Sequence, residues 1–134
     1  MKKNILLIDD DQVFNFLSTK VLGRLGITEG IHTASNGRDA LNLIKGSFTD
    51  NNFPDIIFLD INMPIMDGFG FIEAFKKMTM PHKENVVIAI VTSSQDSNDI
   101  RRAKELGIAH YLTKPISEKT LRPVLESAGT LPSA

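Results

Sequence analysis

The chain has 134 residues, of which 42% are hydrophobic and 23% charged, and its formal net charge is −1. This composition is typical of one soluble globular domain, and a charge so near zero provides no broad positive field for direct binding of nucleic acid or an anionic membrane. The absence of cysteine excludes disulfides, thiolate catalysis and Cys-ligated zinc. No apolar run approaches the ~20 residues of a transmembrane helix, and the one near the N-terminus is too short for a signal peptide, so we expect a cytoplasmic protein.

The N-terminal segment predicts a buried strand followed by a helix. The apolar run at residues 4–8 suits a strand buried on both faces, and it ends directly before Asp9, Asp10 and Asp11. Asp11 is placed to cap the helix that follows, and Gly26 to end it. The apolar stripe of this helix, at helical spacing, comprises Phe14, Leu17, Val21 and Leu25.

The middle of the chain leads to a strand that ends in an acid. A weaker strand is predicted at residues 31–34, a short helix capped by Asn36 follows it, and a polar loop covers residues 46–54. The short apolar run at residues 56–59 then predicts a strand buried on both faces. Because a charge inside a core is costly, Asp60 belongs at the exit of this strand, where proline and glycine begin a loop.

The second half continues the alternation of helix and strand. A helical stripe follows the loop, and its members are Phe71, Ile72, Phe75 and Met78. The apolar run at residues 86–91 predicts a third buried strand, which ends at Thr92. Ser97 or Asn98 is expected to open the next helix and Gly107 to close it. The side chains of that helix expected to face inward are Ile100, Ala103 and Leu106.

The C-terminal segment predicts a last strand and helix. The strand at residues 108–113 runs into Lys114, and Ser117 is placed to cap the helix. Pro123 falls inside that helix and has no backbone N–H, which predicts a kink or a frayed end. A loose tail from residue 127 leaves a core of about 4–127, and we expect residues 1–134 to form a single domain.

Five strands alternating with five helices predict an α/β fold. Such alternation implies a doubly wound, three-layer α/β/α arrangement, in which a five-stranded parallel sheet is covered on both faces. The connections between parallel strands are then right-handed crossovers.

Functional-looking side chains follow four of the predicted strands. They are Asp9 and Asp10, Asp60, Thr92, and Lys114. Because the carboxyl ends of parallel strands meet at one edge of a sheet, we expect these side chains to lie together, where open α/β sheets bind ligands. Carboxylates brought this close repel one another unless a cation compensates them. Mg²⁺ prefers such oxygen ligands and is the expected cofactor.

A lysine and a hydroxyl make this predicted site suitable for a phosphoryl group. Lys114 could serve only as a structural ion pair, or it could meet a charged group formed on Asp60, while Thr92 can donate to an anionic oxygen. Asp60 needs no general base, since a carboxylate is already ionised at neutral pH. The adjacent acids argue against a flavin-phosphate site, and no Gly-x-Gly-x-x-Gly, Walker or Gly-x-Ser-x-Gly sequence is present.

The ordered set of motifs resembles the receiver domains of two-component response regulators, of the chemotaxis-regulator type. The resemblance covers residues 5 to about 126 and implies a flavodoxin-like strand order of 2-1-3-4-5, with the site at the switch between the first and third strands. It rests on four pieces: Asp9-Asp10, Asp60-Ile-Asn-Met-Pro with Asp67-Gly68, Thr92-Ser93, and Lys114-Pro115.

The resemblance implies roles for the acidic residues. Asp60 would be the phosphoacceptor, so the chain would not be an enzyme but would promote its own phosphorylation and dephosphorylation. Asp10 and Asp60 would bind Mg²⁺ directly, Asn62 would bind it through its backbone carbonyl, and Asp9 would do so mainly through water.

The resemblance also implies a switch. Lys114 would pair with the phosphoryl group, and its bond to Pro115 would be cis. Thr92 would turn toward the phosphoryl oxygen, and Tyr111 would swing inward. Tyr111 could also be an ordinary residue of an amphipathic strand.

The partners implied are a sensor histidine kinase or phosphotransfer protein, and an unknown downstream protein. The chain would be a monomer or a weak, phosphorylation-dependent dimer, without membrane contact. Partner choice is expected on the first helix, at surface residues such as Asn15, Ser18 and Thr19.

Three alternatives remain open. The chain could be a pseudo-receiver that binds partners without phosphorylation, or the receiver part of a longer response regulator. A phosphotransferase or phosphatase similar to the haloacid dehalogenases is the third, although that family needs an Asp where Asn62 stands.

Overall fold

The computed structural model describes residues 4–47, 53–80 and 83–129. Most of the predicted polar loop and the end of the predicted tail lie outside these ranges. The described strands are β1 (Ile5–Ile8), β2 (Ile31–Ala34), β3 (Ile56–Leu59), β4 (Val87–Thr92) and β5 (His110–Thr113). The helices are α1 (Gln12–Arg24), α2 (Gly37–Ser47), α3 (Gly68–Lys77), α4 (Ser97–Glu105) and α5 (Glu118–Ser127), with a 3-10 turn at Lys83–Asn85.

The strands form one parallel sheet in the order β2-β1-β3-β4-β5. The register places Ile8 opposite both Ala34 and Leu59, so the central strands end at the same level. The doubly wound fold and the strand order 2-1-3-4-5 are therefore confirmed. Among the described residues, none of the helices combines the length and the apolar content that crossing a membrane requires.

Successive residues of each strand point to opposite faces of the sheet, and this gives the domain two cores. Leu6, Ile8 and Ile57 pack on the side covered by α2 and α3. Ile5 and Leu7 pack on the opposite side, against α1 and α5. The burial of both faces explains why β1, β3 and β4 are almost continuous apolar runs, whereas the edge strands β2 and β5 include polar, partly exposed residues.

Most helix starts follow the predicted caps. Asp11 accepts a hydrogen bond from the backbone N–H of Phe14 at 3.1 Å, and Ser117 forms a capping box with Thr120. α4 begins at Ser97, one of the two residues expected to open it, and Asp96 caps it by accepting from the N–H of Asn98 at 2.8 Å. Aspartate is one of the residues preferred at this position.

The exposed face of α1 differs from the prediction. Leu17 is 53% exposed, whereas Asn15 and Ser18 are buried, so neither of these two polar residues lies on the surface as predicted. Burial is tolerated because each makes an internal hydrogen bond: Ser18 Oγ donates to the Phe14 carbonyl, and Asn15 Nδ2 to the Asp9 carbonyl. Ile100 of α4, also predicted to face inward, is 37% exposed.

Two boundaries near the C-terminus also differ. β5 begins at His110 rather than at residue 108, because the N–H of Ile108 still donates to the Ala103 carbonyl in the turn that ends α4. α5 continues through Pro123 to Ser127, so the predicted frayed end is wrong. The buried residues Leu121, Val124 and Leu125 anchor this helix on both sides of the proline.

Candidate functional site

Three carboxylates meet where β1 and β3 end. Asp9 and Asp60 follow paired strands, and the N–H of Asp60 donates to the Ile8 carbonyl at 3.0 Å. One carboxylate oxygen from each of Asp9, Asp10 and Asp60 lies within 4.8 Å of the others. Asp9 and Asp60 are 3% and 7% exposed, while Asp10 is open to solvent. The structure thus brings together the acids that the sequence predicted to converge.

Tight turns fix the two buried carboxylates at the strand exits. Asp9 Oδ1 accepts a hydrogen bond from the N–H of Asp11 at 2.9 Å, and Asp60 Oδ1 accepts one from the N–H of Asn62 at 3.2 Å. Each bond spans two residues, the pattern by which aspartate shapes a turn from its own side chain. One oxygen of each carboxylate is therefore used locally, and the second oxygen faces the rest of the site.

Lys114 provides the nearby positive charge. Its Nζ lies 2.8 Å from Asp9 Oδ2 and 3.4 Å from Asp60 Oδ2. The shorter contact is an ion pair without hydrogen-bond direction, since the buried Asp9 Oδ2 has no well-oriented donor. The backbone of Lys114 is fixed to the end of β4, because its N–H donates to the Thr92 carbonyl at 2.8 Å. The bond between Lys114 and Pro115 is cis, as the resemblance implied.

The pKa values of Asp9 and Lys114 are both raised, for different physical reasons. Burial raises the pKa of Asp9, and the charge of Asp60 adds to the rise, despite the opposing effects of Lys114 and the Asp11 N–H. Burial by itself would lower the pKa of Lys114, but its contact with Asp9 and the charge of Asp60 outweigh this effect, and the pKa is raised. Because three carboxylates surround the ammonium of Lys114, the site has excess negative charge.

This donor set fits a hard divalent cation. The carboxylate oxygens of Asp9, Asp10 and Asp60 are ligands that Mg²⁺ prefers, and two of the three groups are buried. The buried Asp9 Oδ2, which lacks a well-oriented hydrogen-bond donor, is available to a cation or to its water shell.

Thr92 and Tyr111 are connected through Ser94. Thr92 is fully buried at the end of β4, and its Oγ1 accepts from the N–H of Ser94 at 3.3 Å. Tyr111 Oη donates to the Ser94 carbonyl at 2.9 Å. Burial raises the pKa of Tyr111, and the nearby Asp99 adds to the rise, so the phenol remains a donor at neutral pH. Thr92 and Tyr111, the two predicted switch residues, thus bond to Ser94 in the segment between β4 and α4, and neither donates to Asp60.

Two contributors were missed from the sequence. The ring of Phe14 lies beneath the Lys114 ammonium, 4.1 Å from Nζ to the ring centroid. Asn15 supports the acidic turn by donating from Nδ2 to the Asp9 carbonyl at 3.0 Å. The available signal was their place in the first turn of the helix that Asp11 caps, which lies directly beside the acidic strand end.

Comparison with known proteins places these residues in a family context. The model of the response regulator receiver domain matches residues 5–126. The chain is 34% identical over 122 residues to the sensor histidine kinase CheAY of Helicobacter pylori, covering 91% of this chain and 14% of that protein. It is 32% identical over 116 residues to the regulator of RpoS of Escherichia coli K12, covering 87% of this chain and 31% of the relative. The chain thus spans less than a third of either relative.

Other similar proteins are close to this chain in size. A probable chemotaxis protein CheY of Rhizobium etli is 28% identical over 126 residues, covering 94% of this chain and 92% of that protein. A crystal structure of a two-component response regulator from Cytophaga hutchinsonii superposes with a TM-score of 0.86 at 29% identity, covering 98% of this chain and all of that one. The chemotaxis response regulator CheY4 of Vibrio cholerae gives a TM-score of 0.75 at 26% identity, covering 96% and 99%.

Proposed function

Because this chain belongs to the response regulator receiver domain family, we propose that it is a phosphorylation-dependent switch of two-component signalling with Asp60 as phosphoacceptor. The juxtaposition of Asp60 with Asp9, Asp10 and Lys114 carries this proposal. Asp60 directly follows the central strand β3, it is buried, and its Oδ2 lies 3.4 Å from the Lys114 Nζ. Residues 4–127 would act as one domain, either alone or as the receiver part of a longer response regulator.

In the proposed reaction, an oxygen of the Asp60 carboxylate forms a bond to the phosphorus of a phosphohistidine. The phosphorus–nitrogen bond breaks, and the imidazole leaves with the bonding electron pair and takes up a proton from solvent. A carboxylate nucleophile has no proton to lose, so no general base is needed. Lys114, whose Nζ lies 3.4 Å from Asp60 Oδ2, can neutralise the phosphoryl oxygens. The chain would also promote hydrolysis of the acyl phosphate, in which a water oxygen bonds to phosphorus, the phosphorus–oxygen bond to Asp60 breaks, and inorganic phosphate leaves.

Asp10 and Asp60, the backbone carbonyl of Asn62, and Asp9 through water would hold Mg²⁺. When bound, Mg²⁺ supplies positive charge to the phosphoryl oxygens. The grouping of three carboxylates around one ammonium supports this assignment, because these acids need a compensating cation even before phosphorylation.

The proposed switch runs through the segment between β4 and α4. Thr92 Oγ1 would exchange its hydrogen bond with the Ser94 N–H for one to a phosphoryl oxygen. Tyr111 Oη would release the Ser94 carbonyl and turn inward. Ser94 Oγ also donates to Asp99 of α4 at 2.7 Å, so rearranging this segment reaches the first turn of that helix. Phosphorylation would shift the population between these two arrangements.

The proposed upstream partner is a histidine kinase or phosphotransfer protein that contacts α1. Val13, Phe16 and Leu17 are 68%, 59% and 53% exposed, and their spacing places them on one face of the helix directly after the acidic turn. Such an apolar patch beside the acceptor suits a protein that presents a phosphohistidine. The output would be contact with an unidentified protein, by a monomer or a weak phosphorylation-dependent dimer, without direct binding to nucleic acid.

The test is intact mass after incubation with acetyl phosphate, with and without Mg²⁺. The wild-type chain should gain one phosphoryl group only when Mg²⁺ is present, and Asp60→Asn should gain none. Asp55→Asn is the matched control, because Asp55 stands at the opposite end of the same strand. This control should be modified like the wild type.

A wild-type chain that neither gains mass nor responds to Mg²⁺ would contradict the proposal and favour a pseudo-receiver. Turnover of acetyl phosphate by Asp60→Asn at the wild-type rate would contradict the assignment of the acceptor.

A further inference from the structure

Lys114 has an aromatic neighbour in addition to its two carboxylates. Its ammonium lies over the face of Phe14, 4.1 Å from the ring centroid, while Asp9 Oδ2 and Asp60 Oδ2 lie at 2.8 and 3.4 Å. The lysine side chain is only 19% exposed. A cation held against an aromatic face in a partly desolvated site is attracted by the negative charge of that face. The ammonium is thus bounded by two acids and a ring.

Local structure fixes the ring in this place. The N–H of Phe14 donates to the capping carboxylate of Asp11, which sets the first turn of α1. The next residue, Asn15, donates from its buried Nδ2 to the carbonyl of Asp9 and so ties the same turn to the acidic strand end. These two hydrogen bonds fix the backbone turn that carries the ring, so the ring projects from an ordered segment beside the flexible lysine chain.

The same helix provides an internal comparison. Phe16 also lies near a lysine, with the Lys20 Nζ 5.1 Å from its ring centroid. Phe16 is 59% exposed and Lys20 is exposed, so that contact is solvated and adds little. The contact between Phe14 and Lys114 is shorter and more buried, and only that one adjoins the acids.

We propose that Phe14 is a positioning residue that holds the Lys114 ammonium between Asp9 and Asp60, ready to bind an incoming phosphoryl group. Without the ring, the four-carbon chain of the lysine gains conformations that face solvent, and the ammonium spends less time beside Asp60. The effect on phosphorylation rests on the function proposed above, whereas the position of the ammonium does not.

The experiment compares Phe14→Leu with Phe14→Tyr, and uses Lys20→Met as the control, because it removes only the solvated lysine beside Phe16. The first readout is the NMR shift of the Lys114 side-chain protons in the metal-free chain, which the ring current of Phe14 should move upfield. The second is the rate of phosphorylation by acetyl phosphate with saturating Mg²⁺. Unfolding in urea is measured for every variant, so that the rate is compared only under conditions where each is folded.

Phe14→Leu should lose the upfield shift and slow phosphorylation by roughly 3- to 10-fold, the range expected for a partly desolvated cation over a ring. Phe14→Tyr keeps the aromatic face and should retain both properties, and Lys20→Met should change neither. The proposal is overturned if the wild-type Lys114 protons show no ring-current shift, or if Phe14→Leu is phosphorylated as fast as Lys20→Met.

The two proposals can fail separately. A wild-type chain that takes no phosphoryl group contradicts the proposed function, and the NMR shift alone then decides whether the ring positions the ammonium. If the wild-type chain and Phe14→Leu are phosphorylated at the same rate, the positioning role is contradicted, and Asp60 remains the acceptor.

Discussion

The two ends of β3 each hold an aspartate, yet their surroundings differ. At the amino end, Asp55 Oδ2 accepts from the backbone N–H of Asn4 at 2.7 Å, and the backbone of Asp55 bonds to both Asn4 and Val87. At the carboxyl end, Asp60 faces two other carboxylates and one ammonium. The first carboxylate joins neighbouring segments of the sheet, whereas the second adds to an uncompensated charge. Two aspartates flank the same strand, and Asp55 has a structural role whereas Asp60 lies in the candidate site.

The largest expected effect on stability is at Gly68, where the loop that follows Asp60 packs back against the carboxyl end of β3. A Cβ on Gly68 would lie 2.5 Å from the Asp60 carbonyl oxygen and 2.7 Å from Ile61 Cα. Both are backbone atoms, so Gly68→Ala should destabilise the domain by about 3 kcal/mol in urea unfolding. Gly23→Ala is the control, because a Cβ there meets nothing within 4 Å and should stabilise α1 by up to about 1 kcal/mol. Equal unfolding free energies of the two variants would contradict this prediction, because the loop would then accommodate the added Cβ without cost.

A smaller loss is expected at the amino end. Asp55→Ala removes the acceptor of the buried Asn4 N–H and should cost about 1–2 kcal/mol of unfolding free energy. Asp55→Asn keeps an acceptor oxygen and should cost less. Neither variant should alter the stabilisation by Mg²⁺, measured as the rise in melting temperature. A loss of that rise in Asp55→Asn would contradict the structural role given to this end.

The smallest expected effect is at Asp9, where a substitution should raise the stability of the domain and not lower it. The pKa of Asp9 is raised by burial, so its charged form is less favourable in the folded chain than in the unfolded one. Asp9→Asn should therefore stabilise the metal-free domain at pH 7, by roughly 1 kcal/mol. It should also reduce the stabilisation by Mg²⁺.

The pH dependence provides the check on this sign. The penalty for a charged Asp9 applies above its raised pKa and is relieved as the pH falls through that value, because the wild-type carboxyl then becomes neutral. The stability gap between wild type and Asp9→Asn should thus narrow from pH 7 toward acid. A gap that widens on acidification would mean that Lys114 compensates Asp9 fully.

The features predictable from the sequence are those that depend on local pattern. Continuous apolar runs before Asp9 and Asp60 predicted strands buried on both faces, and the shared edge of a parallel sheet predicted that the acids would meet. Asp11 and Ser117 were recognisable as caps because their residue type and position suffice.

The features that escaped prediction depend on contacts between elements. The rotation of α1 about its axis exposes Leu17 and buries Ser18, because internal hydrogen bonds make the polar residues acceptable next to the sheet. Apolar spacing alone could not reveal this. The place of the Lys114 ammonium also follows from tertiary structure, since it lies nearer Asp9 than Asp60 and over the ring of Phe14.

Chemical mapping of the modified aspartate tests the difference between the two ends of β3 most directly. Borohydride reduces an acyl phosphate to an alcohol, so the acceptor becomes homoserine and can be located by peptide mass spectrometry. After treatment with acetyl phosphate and Mg²⁺, we predict homoserine at position 60 and none at positions 9, 10 or 55, with the signal lost when Mg²⁺ is omitted. Homoserine at position 55, or equal labelling of all the carboxylates with and without Mg²⁺, would contradict the assignment of Asp60 as the acceptor.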